Sequence, residues 1–379
     1  MKNHPHLNPL PFKGEEAGRA PSPLRGEGGG EVVSVNRARI LAWLLETDET
    51  RLGQLWAEAD RVRRERVGDE VHLRGLIELS SFCRRDCHYC GIRGSRRIER
   101  YRLSEVEVEE CVRLGVRLGY GTVVLQAGED PGLSRERITR HVHFIKAETS
   151  LAVTLSLGER SDAELAEWRE AGADRYLLRH ETSDMALFRR IHPDCGGERS
   201  DRVEFLRKLK RLGYEAGSGV MVGIPGQSYE TLANDILLFR ELDMEMVGVG
   251  PYLAHPDTPL GRDAASFSLP AGEQVPATDV MTTKVIALTR LVCPDVNIPS
   301  TTALATVNTE NGRELGLERG ANVWMPNLTP VKYRALYEIY PDKACAGDTA
   351  EACQACLLRR LASIGRVPGK GPGGRRREG

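Results

Sequence analysis

One arrangement recurs along this chain and constrains its fold more than any other feature. A helical stretch is followed by a glycine, two or three residues, and a short apolar or β-branched run. It stands at Gly119 before residues 122–125, at Gly172 before 175–178, at Gly213 before 216–221 and at Gly320 before 321–325. A glycine just past a helix can turn left-handed and send the chain back into a sheet, so each instance reads as an αβ connection. Two helices also mark their starts, since Ser104 with Glu107 and Ser161 with Glu164 have the spacing of capping boxes. Residues 71–79, 151–155, 246–249 and 296–298 complete a set of about eight strands alternating with helices, the count of a (β/α)8 TIM barrel. A doubly wound α/β sheet is the alternative. The barrel is favoured because the strands are short and evenly spaced, and because no Gly-x-Gly-x-x-Gly follows the first of them.

Composition sets the boundaries. Residues 1–35 are rich in proline, glycine and charge (Pro21, Pro23, Gly28, Gly29, Gly30) without an apolar period, and are expected to be a disordered extension. Residues 36–68 then supply helices that cap the barrel bottom, residues 69–330 the barrel, and residues 331–365 a cysteine-containing extension. Residues 366–379 read as a flexible basic, glycine-rich tail. Lys and Arg total 53 against 54 Asp and Glu, which leaves no basic footprint for nucleic acid. No apolar run reaches the length of about 18 that a membrane span needs. Residues 1–13 carry His, Pro and Asn where a signal peptide needs an apolar stretch, so a cytoplasmic location is expected. In that compartment nine cysteines point to metal or catalysis rather than disulfides.

Directly after the first strand come Cys83, Cys87 and Cys90, a C-x-x-x-C-x-x-C loop. Three thiolates can grip a 4Fe-4S cube and leave one iron open to a small molecule. Zinc is the competing reading, but a structural zinc site wants four ligands, and His88 is adjacent to Cys87 and badly placed to bind the same ion. Tyr89, between the last two cysteines, offers a flat face to an adenine. This loop resembles that of the radical S-adenosylmethionine (SAM) superfamily. In that family the open iron chelates the amino and carboxylate groups of SAM, and an electron from the cluster releases a 5'-deoxyadenosyl radical.

The segments LQAGEDP at 125–131, VTLSLGE at 153–159, RYLLRHE at 175–181, MVGIPGQ at 221–227 and GPYLAHPDT at 250–258 are similar to those of HydE-type FeFe-hydrogenase maturases. The likeness runs from about residue 73 to residue 375, with residues 264–276 looking like an insertion. It implies that Tyr89, Ser156, Glu181, Arg202 and Met221 contact SAM, with Gln126 and the Gly128–Glu129 turn nearby. It also implies that Thr154, Arg179, Thr301, Thr302 and Ala303 line an anion or substrate site, with Tyr337 near its mouth. A lone Glu181 would read as an ordinary loop ion pair. Its place at the end of the fourth strand, opposite a cationic cofactor, favours the functional role. The guanidinium of Arg179 suits a carboxylate or a cyanide-bearing anion.

Cys345, Cys353 and Cys356 match the auxiliary cluster position of these maturases and are expected to hold a 2Fe-2S or 4Fe-4S centre just before a helix at residues 356–364. A zinc site completed by Asp348, Glu351 or water, or no metal at all, is the alternative. Cys111 falls on the apolar face of a helix and reads as a core thiol, while Cys195 and Cys293 have no evident partner. The resemblance implies action on an iron-carbonyl-cyanide complex of cysteine, with other maturases and an electron donor as partners and neither nucleic acid nor membrane. The same SAM chemistry on a small amino acid or sulfur heterocycle, as in methylornithine synthase, is a second reading. A non-catalytic iron-sulfur scaffold is a third. No His-Glu-x-x-His, Gly-x-Ser-x-Gly or P-loop offers another chemistry.

Overall fold

β1 (Glu70–Ser80) is buried along all but its first residue because it has neighbours on both edges, β2 (Thr122–Ala127) and β7 (Val323–Trp324). The computed structural model describes residues 35–375; the extension expected over residues 1–35 falls, but for its last residue, outside that range. β3 (Ala152–Ser156), β4 (Arg175–Leu177), β5 (Glu215–Val222) and β6 (Met246–Pro251) continue the parallel sheet in the order β6-β5-β4-β3-β2-β1-β7. Residues 297–300 close the curl. They bridge Met246 and Val249 of β6 on one side and Val323 of β7 on the other, with Val247 N–H donating to Asn297 O (2.8 Å) and Ser300 N–H to Val323 O (2.9 Å). The expected α/β barrel is therefore present. Its last two strands are the weakest: residues 297–300 pair only through isolated bridges, and β7 holds two residues.

Side chains alternate across each strand. Val123, Leu125, Val153, Leu155, Val247 and Val249 join the core beneath the outer helices. Both predicted capping boxes form, at the helices Glu105–Arg117 and Asp162–Glu170, and Cys111 is buried with Sγ 3.3 Å from Leu328 O. On the inner face Arg74, Thr154, Arg175, Glu215 and Met246 make a polar layer at the amino end of the barrel. Arg175 Nε donates to Glu215 (2.5 Å) and its NH1 to Thr122 (3.1 Å). Burial, with Arg175 close by, pushes Arg74 down to about 9.

The bottom of the barrel departs from expectation. The helices Arg37–Leu45 and Glu49–Val67 turn Ile40, Trp43, Leu44, Leu52, Leu55 and Ala59 onto the outer helices Tyr229–Glu241 and Asp279–Val292, and Asp60 of the second pairs with Arg366 (3.1 Å). Residues 366–375, expected as a loose tail, cross the opening instead. β8 (Val367–Pro368) pairs with β1, Pro372 O accepts from Thr122, Gly373 O accepts from Arg74 (3.0 Å), and Arg375 is ion-paired with Asp243 and Asp295. A strap with few side chains fits where bulkier residues could not: a Cβ on Gly121 would lie 1.6 Å from Gly371 O. Among the described residues no helix is long and apolar enough to cross a membrane.

Candidate active site

Cys83, Cys87 and Cys90 lie on irregular backbone at the carboxyl end of β1, where a barrel presents its functional groups. Distant segments hold this loop: Arg84 N–H donates to Glu129 O (2.9 Å), His88 N–H to Ile191 O (2.8 Å) and Gly91 N–H to Ile339 O (2.9 Å). Arg100 donates to the carbonyls of Ser81, Ile92, Arg93 and Arg96. Asp86, just before Cys87, is bound by Arg93 (2.7 and 2.5 Å), which holds that carboxyl well below the usual range. Gly128 is where β2 must pass the loop, since a Cβ there would meet Phe82 O at 2.5 Å and Cys83 Cβ at 2.7 Å. Gly128→Ala is therefore expected to displace Cys83, costing about 1–3 kcal/mol in urea unfolding and lowering the iron retained per chain. The next residue, Glu129, is buried and accepts from Arg85 (2.6 Å), Arg84 (3.3 Å) and Glu159 N–H (3.1 Å).

The three thiols fit a metal cluster. Burial pushes all of them up, Cys90 to about 12, so without metal they stay neutral, and a cationic centre reverses that. Three thiols on one loop are one short of the four ligands a closed zinc site takes, and they leave one iron of a cube open.

The residues expected around SAM gather at this end. Glu181 adopts φ 66°, uncommon for a residue with a side chain, and is held there by its N–H bond to Gly219 O (3.1 Å) and by His180, whose Nδ1 lies 2.9 Å from Ser218 Oγ. Its carboxylate lies 3.1 Å from Arg179 and 3.9 Å from Arg202. Arg202, buried at the start of the helix Arg202–Arg211, donates to Arg179 O (2.6 Å), contacts His192 Nε2 (2.7 Å) and lies 3.6 Å from Glu159. Burial alone would lower its pKa, but Tyr89, Cys87, Glu181 and Glu159 outweigh that and raise it. Burial, then Arg202, drives His192 down to about 2, which keeps it a neutral acceptor. Tyr89 and Met221 pack with Leu187, Ile191, Ile224 and Tyr252 in a small apolar cluster separate from the main core. Arg179 Nε, Arg202 Nε and Tyr252 Oη are buried here without a hydrogen-bond partner. Buried polar atoms are rarely left so, and a polar cofactor lodged among them would satisfy them.

Ser156 and Gln126 are in register at the ends of β3 and β2. Tyr337, expected near the mouth of the substrate site, is buried, and its hydroxyl lies 3.3 Å from Gln126 Nε2. The expected substrate residues are spread out. Thr154 sits deep, its Oγ1 without a partner, against the polar layer. Arg179 is at the rim, donating to Val220 O (2.6 Å). Thr301 caps the helix Thr302–Val307 and donates to Val249 O (3.1 Å), and Ala303 packs beside Gly250. Thr302 is turned away toward Arg313, which donates to it (3.0 Å). Sequence reasoning missed Glu78, fully buried and paired with Lys343 of the extension. Its signal was an acid near the carboxyl end of the first strand, just before the cysteine loop. Tyr252 was also missed.

The C-terminal helix spans Ala350–Ser363 and is capped by Thr349, so it starts earlier than expected and carries both Cys353 and Cys356. The early turn lacks an apolar period, which is why its start was not legible. Cys345, Cys353, Cys356 and Asp348 line a cavity of about 310 Å³ that reaches Thr302 and Arg313.

Residues 77–239 match the model of the Radical SAM superfamily, and the barrel with its three-thiol loop makes this a radical SAM enzyme. The chain is 46% identical over 325 residues to the FeFe-hydrogenase maturase subunit HydE of Thermotoga maritima, spanning 85% of this chain and 89% of that one. It belongs to the HydE family of maturases. It is also 30% identical over 281 residues to 3-methylornithine synthase of Methanosarcina acetivorans, covering 74% of this chain and 75% of that one. The solved structure of methylornithine synthase superposes with a TM-score of 0.73 at 25% identity, over 89% of this chain and 95% of that one. The maturase HydG shares the fold, with a TM-score of 0.73 at 19% identity over 89% of this chain and 73% of that one. The family implies a 4Fe-4S cluster and SAM.

Proposed function

We propose that this enzyme cleaves SAM reductively in the assembly of the FeFe-hydrogenase active-site cluster, acting in the cytosol on an iron-carbonyl-cyanide complex of cysteine. Other maturases and an electron donor would be its partners. The observation that carries this reading is the 46% identity to HydE across 85% of the chain. Cys83, Cys87 and Cys90 would hold the cluster, which when bound supplies the electron that splits SAM into methionine and a 5'-deoxyadenosyl radical. The chain's own share is to bind and orient. Tyr89 and Met221 offer the adenine an apolar face, and Ser156 and Glu181 offer oxygens to the polar end of the cofactor, with Gln126 and Gly128 beside them. Arg202, which donates to Arg179 O and faces the Glu181 carboxylate, would stand beside the cofactor as well. Arg179 Nε would donate to an anionic substrate, with Thr154, Thr301, Thr302, Ala303 and Tyr337 along its path. Cys345, Cys353 and Cys356 would hold an auxiliary iron-sulfur centre.

The test is anaerobic loading with iron and sulfide, then dithionite and SAM, with 5'-deoxyadenosine and methionine measured with and without the iron complex. Acceleration by that complex is expected. Acceleration by small amino acids alone would move the substrate to the methylornithine synthase type. A loaded cluster with no cleavage and no SAM-induced change in its paramagnetic spectrum would mean a scaffold.

A further inference from the structure

The C-terminal thiols have a carboxylate among them. Ligand atoms of Cys345, Asp348 and Cys353 lie within 4.8 Å of one another, and no other group of three such side chains does so among the described residues. The convergence is built rather than incidental. Cys345 is held at φ 61°, a conformation that side chains rarely take. The buried Arg334 donates to Cys345 O (3.2 Å) and Asp348 O (2.5 Å) while its other nitrogens bind Thr329 O (2.7 Å) and Asn327 O (2.9 Å), tying this turn to the end of the barrel. Thr349 caps the helix immediately after Asp348, which puts Cys353 in the first turns and Cys356 one turn further on the same face, lining the same cavity. Arg313, Arg334, Lys343 and Arg360 line that cavity too, yet the Asp348 carboxylate makes a hydrogen bond or ion pair with none of them. It faces the Cys345 and Cys353 thiols instead. Three thiolates and a carboxylate together would repel one another, and four cations around them offset that charge.

We propose that Asp348 is the fourth ligand of this centre, completing Cys345, Cys353 and Cys356 into a Cys3Asp set for a thiophilic metal. The inference rests on the reading of these cysteines as a metal site. A centre with four protein ligands leaves no position open to a small molecule, so it is closed, whereas the three-cysteine loop at the end of β1 is open. The same ligand set serves an iron-sulfur cluster or a zinc ion.

The test uses the full chain with Cys83→Ser, Cys87→Ser and Cys90→Ser, so that bound metal reports the C-terminal centre alone. It is loaded with iron and sulfide, or with zinc, and titrated with a chelator. Visible absorption and metal analysis separate the two fillings. Asp348→Asn is expected to weaken retention by about tenfold or more, and Asp348→Cys to restore it. Retention equal to the parent in both Asp348→Asn and Asp348→Ala would overturn the assignment while leaving the metal site standing. If the parent binds no metal, or Cys353→Ser binds as well as the parent, the metal-site reading fails and the assignment with it. Where the triple variant does not fold, the same variants are compared with the first loop intact, taking Cys353→Ser as the baseline.

Discussion

A Cys87→Ala chain, loaded anaerobically and given dithionite and SAM, is expected to form 5'-deoxyadenosine at less than about one hundredth of the parent rate. Altering groups that merely support a metal ligand costs 10–100-fold, and Cys87 is the most deeply buried thiol of its loop. The loop itself should survive. Its backbone is held by Glu129, Ile191, Ile339 and Arg100, none of which binds the Cys87 side chain. Trimming a thiol to a methyl group removes about one heavy atom from a packed site, a loss of order 1 kcal/mol. Circular dichroism and urea unfolding should therefore change little while product disappears. Near-parental product formation would remove the loop from the chemistry altogether.

Arg202→Met should act on the fold and the site together, lowering unfolding free energy by about 3–5 kcal/mol in urea. Methionine fills similar space but removes the cation that Glu159 and Glu181 share, leaving them Arg85 and Arg179 respectively, and leaves Arg179 O without its donor. Arg202→Lys keeps the charge but not the fork that reaches Arg179 O and His192 at once, so it should fall between parent and Met variant. SAM binding, followed through the paramagnetic spectrum of the loaded cluster, should weaken in the same order. A Met variant as stable as the parent would mean that Arg202 is only packed there.

The parts of the fold written locally were legible. Gly119, Gly172, Gly213 and Gly320 all take the positive φ that a turn out of a helix requires, and Ser104 and Ser161 cap as their spacing demanded. The cysteine loop was legible because its ligands are adjacent in sequence. What was not legible joins residues far apart. Glu78 pairs with Lys343, Gln126 meets Tyr337, and Arg202, singled out only through the family resemblance, gains its partners His192 and Arg179 only on folding. The substrate path was the least legible part, since the residues expected to share it separate between the deep polar layer, the rim and the C-terminal cavity.

The strap under the barrel has a consequence for how the protein is made. Arg74 and the Gly373 carbonyl that it binds are 299 residues apart. On a ribosome, β1 emerges early and stays exposed at its amino end until synthesis has run through residue 375 and that stretch has left the exit tunnel. Loop closure over such a span is slow relative to local helix formation. The half-made enzyme is thus a sheet with a wet, arginine-lined floor, and its interior becomes sealed from below only after residues 366–375 have been translated. A reporter fused directly behind residue 375 would have to leave that floor in place.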